Sequence, residues 1–282
     1  MTTFRYAALV VASLALGVGG ASAADLGSLR TMRPQPDASG TYVVTVTANG
    51  QFMPRYPGSD KLTGVVYPSV NIRRAEEPAR YAAPDDGFSI SVLDDIPNLR
   101  FGPVVRVQAG RYLSDDRSLF GLRKLNWSIE PGGFVEYFPV SFIRTRLELR
   151  YSTNGVEGFV GNAGVDFIAP LGRFTFSVGP RVNFADATYM RGYFGVRPIE
   201  SLINGRLPAY RPGAGLVSAG VLGAVTYKWN ETWATTGYVG YNRLVDDASR
   251  SPIPRFIGSR DQITIGASVS YSFNFTPGPN TF

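Results

Sequence analysis

Along most of the chain apolar and polar side chains alternate one by one, and long stretches with a helical period are nearly absent. From Tyr42 to Phe52 one face carries Tyr42, Val44, Val46, Ala48 and Phe52, and the other Val43, Thr45, Thr47, Asn49 and Gln51. Between Gln262 and Asn274 the pattern is cleaner: Ile263, Ile265, Ala267, Val269, Tyr271 and Phe273 oppose Gln262, Thr264, Gly266, Ser268, Ser270 and Ser272. Phe174, Phe176, Val178, Val182 and Phe184 likewise oppose Thr175, Ser177, Arg181 and Asn183. Ile143, Leu147, Leu149 and Tyr151 oppose Arg144, Arg146, Glu148 and Arg150. Successive side chains of a strand point to opposite faces, so a period of two predicts β-structure.

Strands are predicted near 41–53, 61–73, 79–83, 88–93, 100–112, 127–138, 142–152, 159–168, 173–185, 213–228, 232–245 and 261–274. Twelve is the best count, with ten as the alternative because 79–83 and 88–93 are weak. Pro68, Pro131 and Pro180 fall inside strands, where each lacks an amide for the ladder, so bulges or kinks are expected there. The connections 94–99, 139–141, 169–172 and 229–231 are short, whereas 113–126, 186–212 and 246–260 are long. A short helix is expected over 201–206, after Pro198.

Alternation also occurs in soluble sandwiches and lipocalins. Two features decide against them. The polar faces hold a charged set (Arg106, Glu130, Glu136, Arg144, Arg146, Glu148, Arg150, Asp166, Arg181) and otherwise mainly Ser, Thr, Asn and Gly, a thin coat for a soluble exterior. The apolar faces often end in an aromatic ring, among them Tyr42, Trp127, Tyr151, Tyr227, Trp233 and Tyr271, as interface girdles require. An all-β, antiparallel, up-and-down transmembrane barrel fits both, with short periplasmic turns, longer extracellular loops and both termini periplasmic.

The N-terminus agrees. Arg5, the apolar run Tyr6–Val18 and Ala21-Ser22-Ala23 read as a cleaved signal peptide over 1–23. A flexible periplasmic leader over 24–40, the barrel over 41–275 and a short tail over 276–282 complete the organisation. The expected location is the outer membrane of a Gram-negative cell.

Composition then narrows the chemistry. In 282 residues only 18% are charged, the formal net charge is +6, and His and Cys are both zero. Without His and Cys there is no Ser-His-Asp or Cys-His arrangement, no disulfide and no zinc ribbon. Among 28 cations only Lys61, Lys124 and Lys228 are lysines.

Several segments resemble one known family, the MipA/OmpV (MltA-interacting protein) family of outer-membrane proteins. Pro54-Arg-Tyr-Pro-Gly-Ser-Asp60 is similar to its loop after the first strand, and Leu171–Arg181 to its turn-then-strand unit ending in Gly-Pro. Ala185–Val196 with Leu207–Gly215 resembles its long-loop signature, and Leu244–Ile253 with Gly258-Ser-Arg-Asp-Gln262 its last loop and strand. Members usually stop at an aromatic residue closing the last strand, here Phe273. This chain runs on through Pro277-Gly278-Pro279 to Phe282, so the assembly signal falls at Phe273 or Phe275, with Phe282 as another terminal aromatic. The resemblance implies a scaffold linking a murein transglycosylase to a murein synthase, or an adhesin or permeability protein. It marks no binding residue.

The residues themselves leave two lumen readings. Arg106, Arg144, Arg146, Arg150 and Arg181 would make a narrow, cationic, anion-favouring channel. Paired instead with Glu130, Glu136, Glu148 and Asp166, they would plug it, the preferred reading for so small a barrel. Loop residues Arg191, Arg197, Arg206, Arg211, Arg250, Arg255 and Arg260 suit lipopolysaccharide phosphates or, equally, a solvated, positively charged rim. Asp94-Asp95, Asp115-Asp116 and Asp246-Asp247 are read as turn residues rather than metal or acid–base sites. No catalytic residue, cofactor, metal or nucleic-acid partner is expected.

Overall fold

The computed structural model describes residues 40–76, 79–92 and 96–276. The expected signal peptide, residues 24–39 of the leader, Asp94-Asp95 and residues 277–282 of the tail lie outside the described residues. One antiparallel sheet holds β1 (Tyr42–Pro54), β2 (Leu62–Arg74), β3 (Phe88–Ser89), β4 (Leu99–Gln108), β5 (Ser128–Val140) and β6 (Ile143–Ser152). It continues through β7 (Gly158–Leu171), β8 (Phe174–Ala185), β9 (Gly215–Lys228), β10 (Trp233–Leu244) and β11 (Asp261–Phe275). Neighbours in sequence are neighbours in space, and β11 returns to β1 with Tyr42 opposite Phe275 and Phe52 opposite Ile265. The result is an up-and-down β-barrel, nearly closed. Its seam lies between β2 and β3, where the rings of Tyr67 and Phe88 meet edge to face at 6.1 Å.

Burial follows the alternation. Outward side chains such as Val66 (76% exposed), Ile72 and Phe52 form an apolar surface that water would not tolerate and hydrocarbon would. Inward hydroxyls pair across the strands, as in Thr45 with Ser272 (2.8 Å) and Thr226 with Thr236 (2.8 Å). Ring pairs mark both rims: Trp233–Tyr271 and Phe174–Tyr227 near the short turns, and Tyr151–Phe159 near the long loops.

Among the described residues eleven strands form where the sequence pattern counts twelve. Residues 79–83 are not a wall strand: the chain leaves β2 at the short-turn end and folds into the barrel. There Ala83 packs with Leu222, Ala224 and Tyr238, and Tyr81 lies against them. The prolines also behave otherwise than expected. On one side of Pro131 and of Pro180 the ladder lapses without changing register; on the other it runs through as Pro131↔Val105 and Pro180↔Val221. Each proline lacks one donor, so only one neighbour loses a bond. Pro68 sits in β2, at an edge of the sheet, and its pairing with Ala48 keeps register. The register shifts lie elsewhere, at Tyr137/Val140 and Asn183/Phe184.

The long loops fold into a cap. They carry four short helices: α1 (Ala187–Tyr193), α2 (Pro198–Asn204), α3 (Asp246–Arg250) and α4 (Pro252–Phe256). The α2 span begins three residues before the expected one, because Pro198 takes the first helical turn and Gly205 ends it at φ +71°. Tyr56, Leu119, Val196, Leu207 and Ile253 form one apolar cluster of this cap, and Met190, Tyr193, Phe194 and Ala248 belong to a second. Two segments singled out in the sequence interlock here. Gly58 (φ +93°) accepts from the Ser259 amide at 2.9 Å and donates to Gln262 Oε1 at 2.9 Å. A Cβ on Gly258 would sit 1.9 Å from the Gly58 carbonyl oxygen. Gly258→Ala should therefore destabilise the folded barrel by about 1–3 kcal/mol through forced overpacking, read as a lower urea midpoint for the heat-modifiable band on gels.

Candidate functional site: the charged lumen

The strand period builds this site. On β6, Arg144, Arg146, Glu148 and Arg150 project inward at every second residue and are all buried. Three like charges on one strand would repel, and register supplies their partners from both sides. Glu136 on β5 lies opposite Arg146, and Asp166 on β7 opposite Arg144. On β4, Arg106 lies opposite Glu130 and Arg100 opposite Glu136.

The geometry is that of a network rather than of separate pairs. Arg144 reaches Glu136 at 2.7 Å, Asp166 at 2.8 Å and Asp86 at 2.5 Å. Arg146 donates to Glu148 (2.9 Å) and Glu136 (3.2 Å), and its guanidinium lies 4.1 Å from the centre of the Phe134 ring. Arg150 joins Glu130 to Glu148, and Arg181 on β8 joins Asp166 (2.6 Å) to Asp85 (2.8 Å). All nine lumen residues named from the sequence thus fall in one connected cluster.

Three members were not foreseen: Arg100, Asp85 and Asp86. The two aspartates stand on the inward segment, which sequence reading divided between a strand and a turn; the Pro84-Asp-Asp-Gly87 run was the available signal. A reciprocal turn shapes this segment: the Ala83 amide donates to Asp86 Oδ2 at 2.9 Å, and the Asp86 amide donates to the Ala83 carbonyl at 3.1 Å. Asp85 takes two bonds from Arg181, its carbonyl accepts from Arg106 at 2.7 Å, and the Gly87 amide donates to Glu148 at 3.1 Å. Tyr81 completes the docking through Ser177 at 2.7 Å, with the Arg144 guanidinium over its ring. Six guanidiniums therefore meet six carboxylates. The sequence set alone would have left the lumen cationic.

At the long-loop end, Arg191, Arg197, Arg206, Arg211, Arg250 and Arg255 are exposed and Arg260 half-buried. Arg197 and Arg250 pair locally with Glu200 and Asp247. The paired aspartates within the described residues serve the backbone. Asp115 accepts from the Tyr112 amide and Asp247 from the Gly213 amide, each at 2.7 Å. Asp116 binds Lys61 and the Ser118 amide. Among the described residues no group of three or more His, Cys, Asp or Glu could hold a metal ion. Sequence reading also missed Arg111, buried in the cap and donating to the Tyr193 carbonyl at 2.7 Å. Burial pushes its guanidinium down to about 10.

Burial alone would raise Glu200 and Asp116. Glu200 is nevertheless held below the ordinary carboxylate value by the Arg197 amide and guanidinium and the Arg123 amide, and Asp116 by Lys61 and Ser118. Carboxyls depressed on folding stabilise the cap above their unfolded pKa and lose that contribution as pH falls through the folded value. Protection factors of cap amides, which remove the intrinsic pH dependence of exchange, should thus be steady near neutrality and fall below about pH 4.5, the ordinary value for Glu. In the lumen, Arg144→Leu should cost about 3–5 kcal/mol, because it strips buried Glu136 and Asp166, and half-buried Asp86, of a shared partner. Arg243→Ala, breaking the exposed pair with Asp261, should leave the urea midpoint unchanged.

An apolar outer belt, aromatic rims and a polar, charge-filled interior define an outer-membrane β-barrel protein. The family profile described as "MltA-interacting protein MipA" matches residues 46–273, from the first strand into the last, and the chain belongs to that family. Among solved structures it is similar to Neisserial surface protein A (9% identity, 83% of this chain and 99% of that one, TM-score 0.28). It is also similar to the NanC porin (8%, 80% and 98%, TM-score 0.38) and the KdgM porin (11%, 81% and 99%, TM-score 0.33). No curated protein sequence matches it.

Proposed function

We propose that this chain is a closed, non-catalytic outer-membrane barrel that holds murein-processing enzymes at the membrane. The family description supports a murein transglycosylase as one partner. The resemblance adds a murein synthase as the other. The observation that carries the reading is the lumen: each of its six guanidiniums has a carboxylate within 3.3 Å. A barrel filled by its own ion pairs acts through its ends rather than through its bore. At the periplasmic end the wall turns are short, so the handles for an enzyme are the leader 24–40 and the tail 276–282. At the outer end the exposed Arg191, Arg206, Arg211 and Arg255 suit lipopolysaccharide phosphates, which guanidinium forks bind in pairs of bonds.

In-membrane crosslinking and pull-down, with the full chain and with a chain ending at Phe275, tests this. The full chain should recover murein transglycosylase and synthase, and the shortened one less of both. Recovery of lipopolysaccharide without murein enzymes would overturn the scaffold.

A further inference from the structure

The inward segment differs from everything else in the lumen. Glu130, Glu136, Glu148 and Asp166 are fixed on strands whose backbone is held in the ladder. Asp85 and Asp86 stand on a turn, held to the wall by side chains and by two bonds of the segment's backbone, Arg106 to the Asp85 carbonyl and Gly87 to Glu148. Asp85 remains 37% exposed although it takes two bonds from Arg181, so this ion pair borders water. Adjacent residues thus present two carboxylates to Arg181, Arg144 and Arg146, as a small polycarboxylate would.

We propose that residues 79–87 are a displaceable plug whose two carboxylates occupy an oxyanion site of the lumen, and that a small polycarboxylate competes for this site and opens an anion-selective path. Withdrawal leaves no guanidinium stranded. Arg144 keeps Glu136 and Asp166, Arg146 keeps Glu136 and Glu148, Arg181 keeps Asp166, and Arg106 keeps Glu148. The large cost of an unpaired buried charge is therefore avoided. Six guanidiniums then face the four strand-borne carboxylates, and the surplus positive charge favours anions. The inward faces of β1 and β11 opposite are uncharged, with Thr45, Thr47, Ser268, Ser270 and Ser272. The surplus therefore stays on one side of the bore.

The proposal rests on a lumen that is closed at rest, and its test separates the two ideas. In planar bilayers under a potassium chloride gradient, the wild-type barrel should show no steady conductance; steady wild-type conductance would sink the closed-lumen reading itself. Asp85→Asn with Asp86→Asn should conduct, with a reversal potential of anion-selective sign. A double variant that keeps its heat-modifiable gel mobility yet stays closed, or opens to cations, would overturn the plug alone. A second measurement needs no loss of ion pairs. Ala82 is exposed in the lumen and the chain has no Cys, so Ala82→Cys supplies a unique thiol. Its labelling by a charged, membrane-impermeant reagent should speed up several-fold in citrate but not in chloride of equal ionic strength. Equal rates in the two salts would refute competition for the site, since screening alone acts through ionic strength.

Discussion

Inside hydrocarbon a strand must bond neighbours along both edges and show only apolar side chains to lipid, because no water is there to satisfy anything else. Charges on the hydrocarbon-embedded part of a strand are then delivered to the interior. The interior is narrow, so charges arriving there must be matched at hydrogen-bond distance. The structure follows from that pressure. Strand β6 brings three guanidiniums and a carboxylate to one face, β4, β5, β7 and β8 answer it by register, and the inward segment supplies the two carboxylates still needed for balance.

The same pressure accounts for the scarcity of lysine. A guanidinium is a planar fork that can hold several acceptors at once. Arg144 does so, bonding Glu136, Asp166 and Asp86 together, and Arg181 bridges Asp166 and Asp85. An ammonium in their place would leave some of these carboxylates buried without a partner. The bore and its outer mouth are filled by different physics. The lumen is filled by ion pairs, and the mouth beyond it is roofed by the apolar clusters around Tyr56, Val196, Ile253, Met190 and Phe194.

Much of this was legible in the chain. Alternation located ten of the wall strands to within a few residues, and the run Phe142–Tyr151 showed that a charged face exists. The glycine-bearing segments 54–60 and 258–262 stood out, although their interlocking through Gly58 and Gly258 did not. Asp85 and Asp86 were passed over because a short, weakly alternating stretch looks the same whether it joins a wall or turns inward. Arg100 was missed because it lies near the start of β4, where outward and inward positions are hard to tell apart from sequence.

Local alternation of period two, read with the thin polar coat and the aromatic ends of the apolar faces, determined that this chain makes a barrel with an apolar outside and a charged inside. Charge balance is not a local property. It depends on which distant residues meet across the bore, Asp85 with Arg181 ninety-six positions on, and Asp86 with Arg144 fifty-eight positions on. Only the tertiary structure decides those meetings, because only the curling of the sheet brings β4 to β8 and the inward segment around one space. The charges named from sequence, five guanidiniums and four carboxylates, left one positive charge over, and the fold adds Arg100, Asp85 and Asp86 to make a network of six and six.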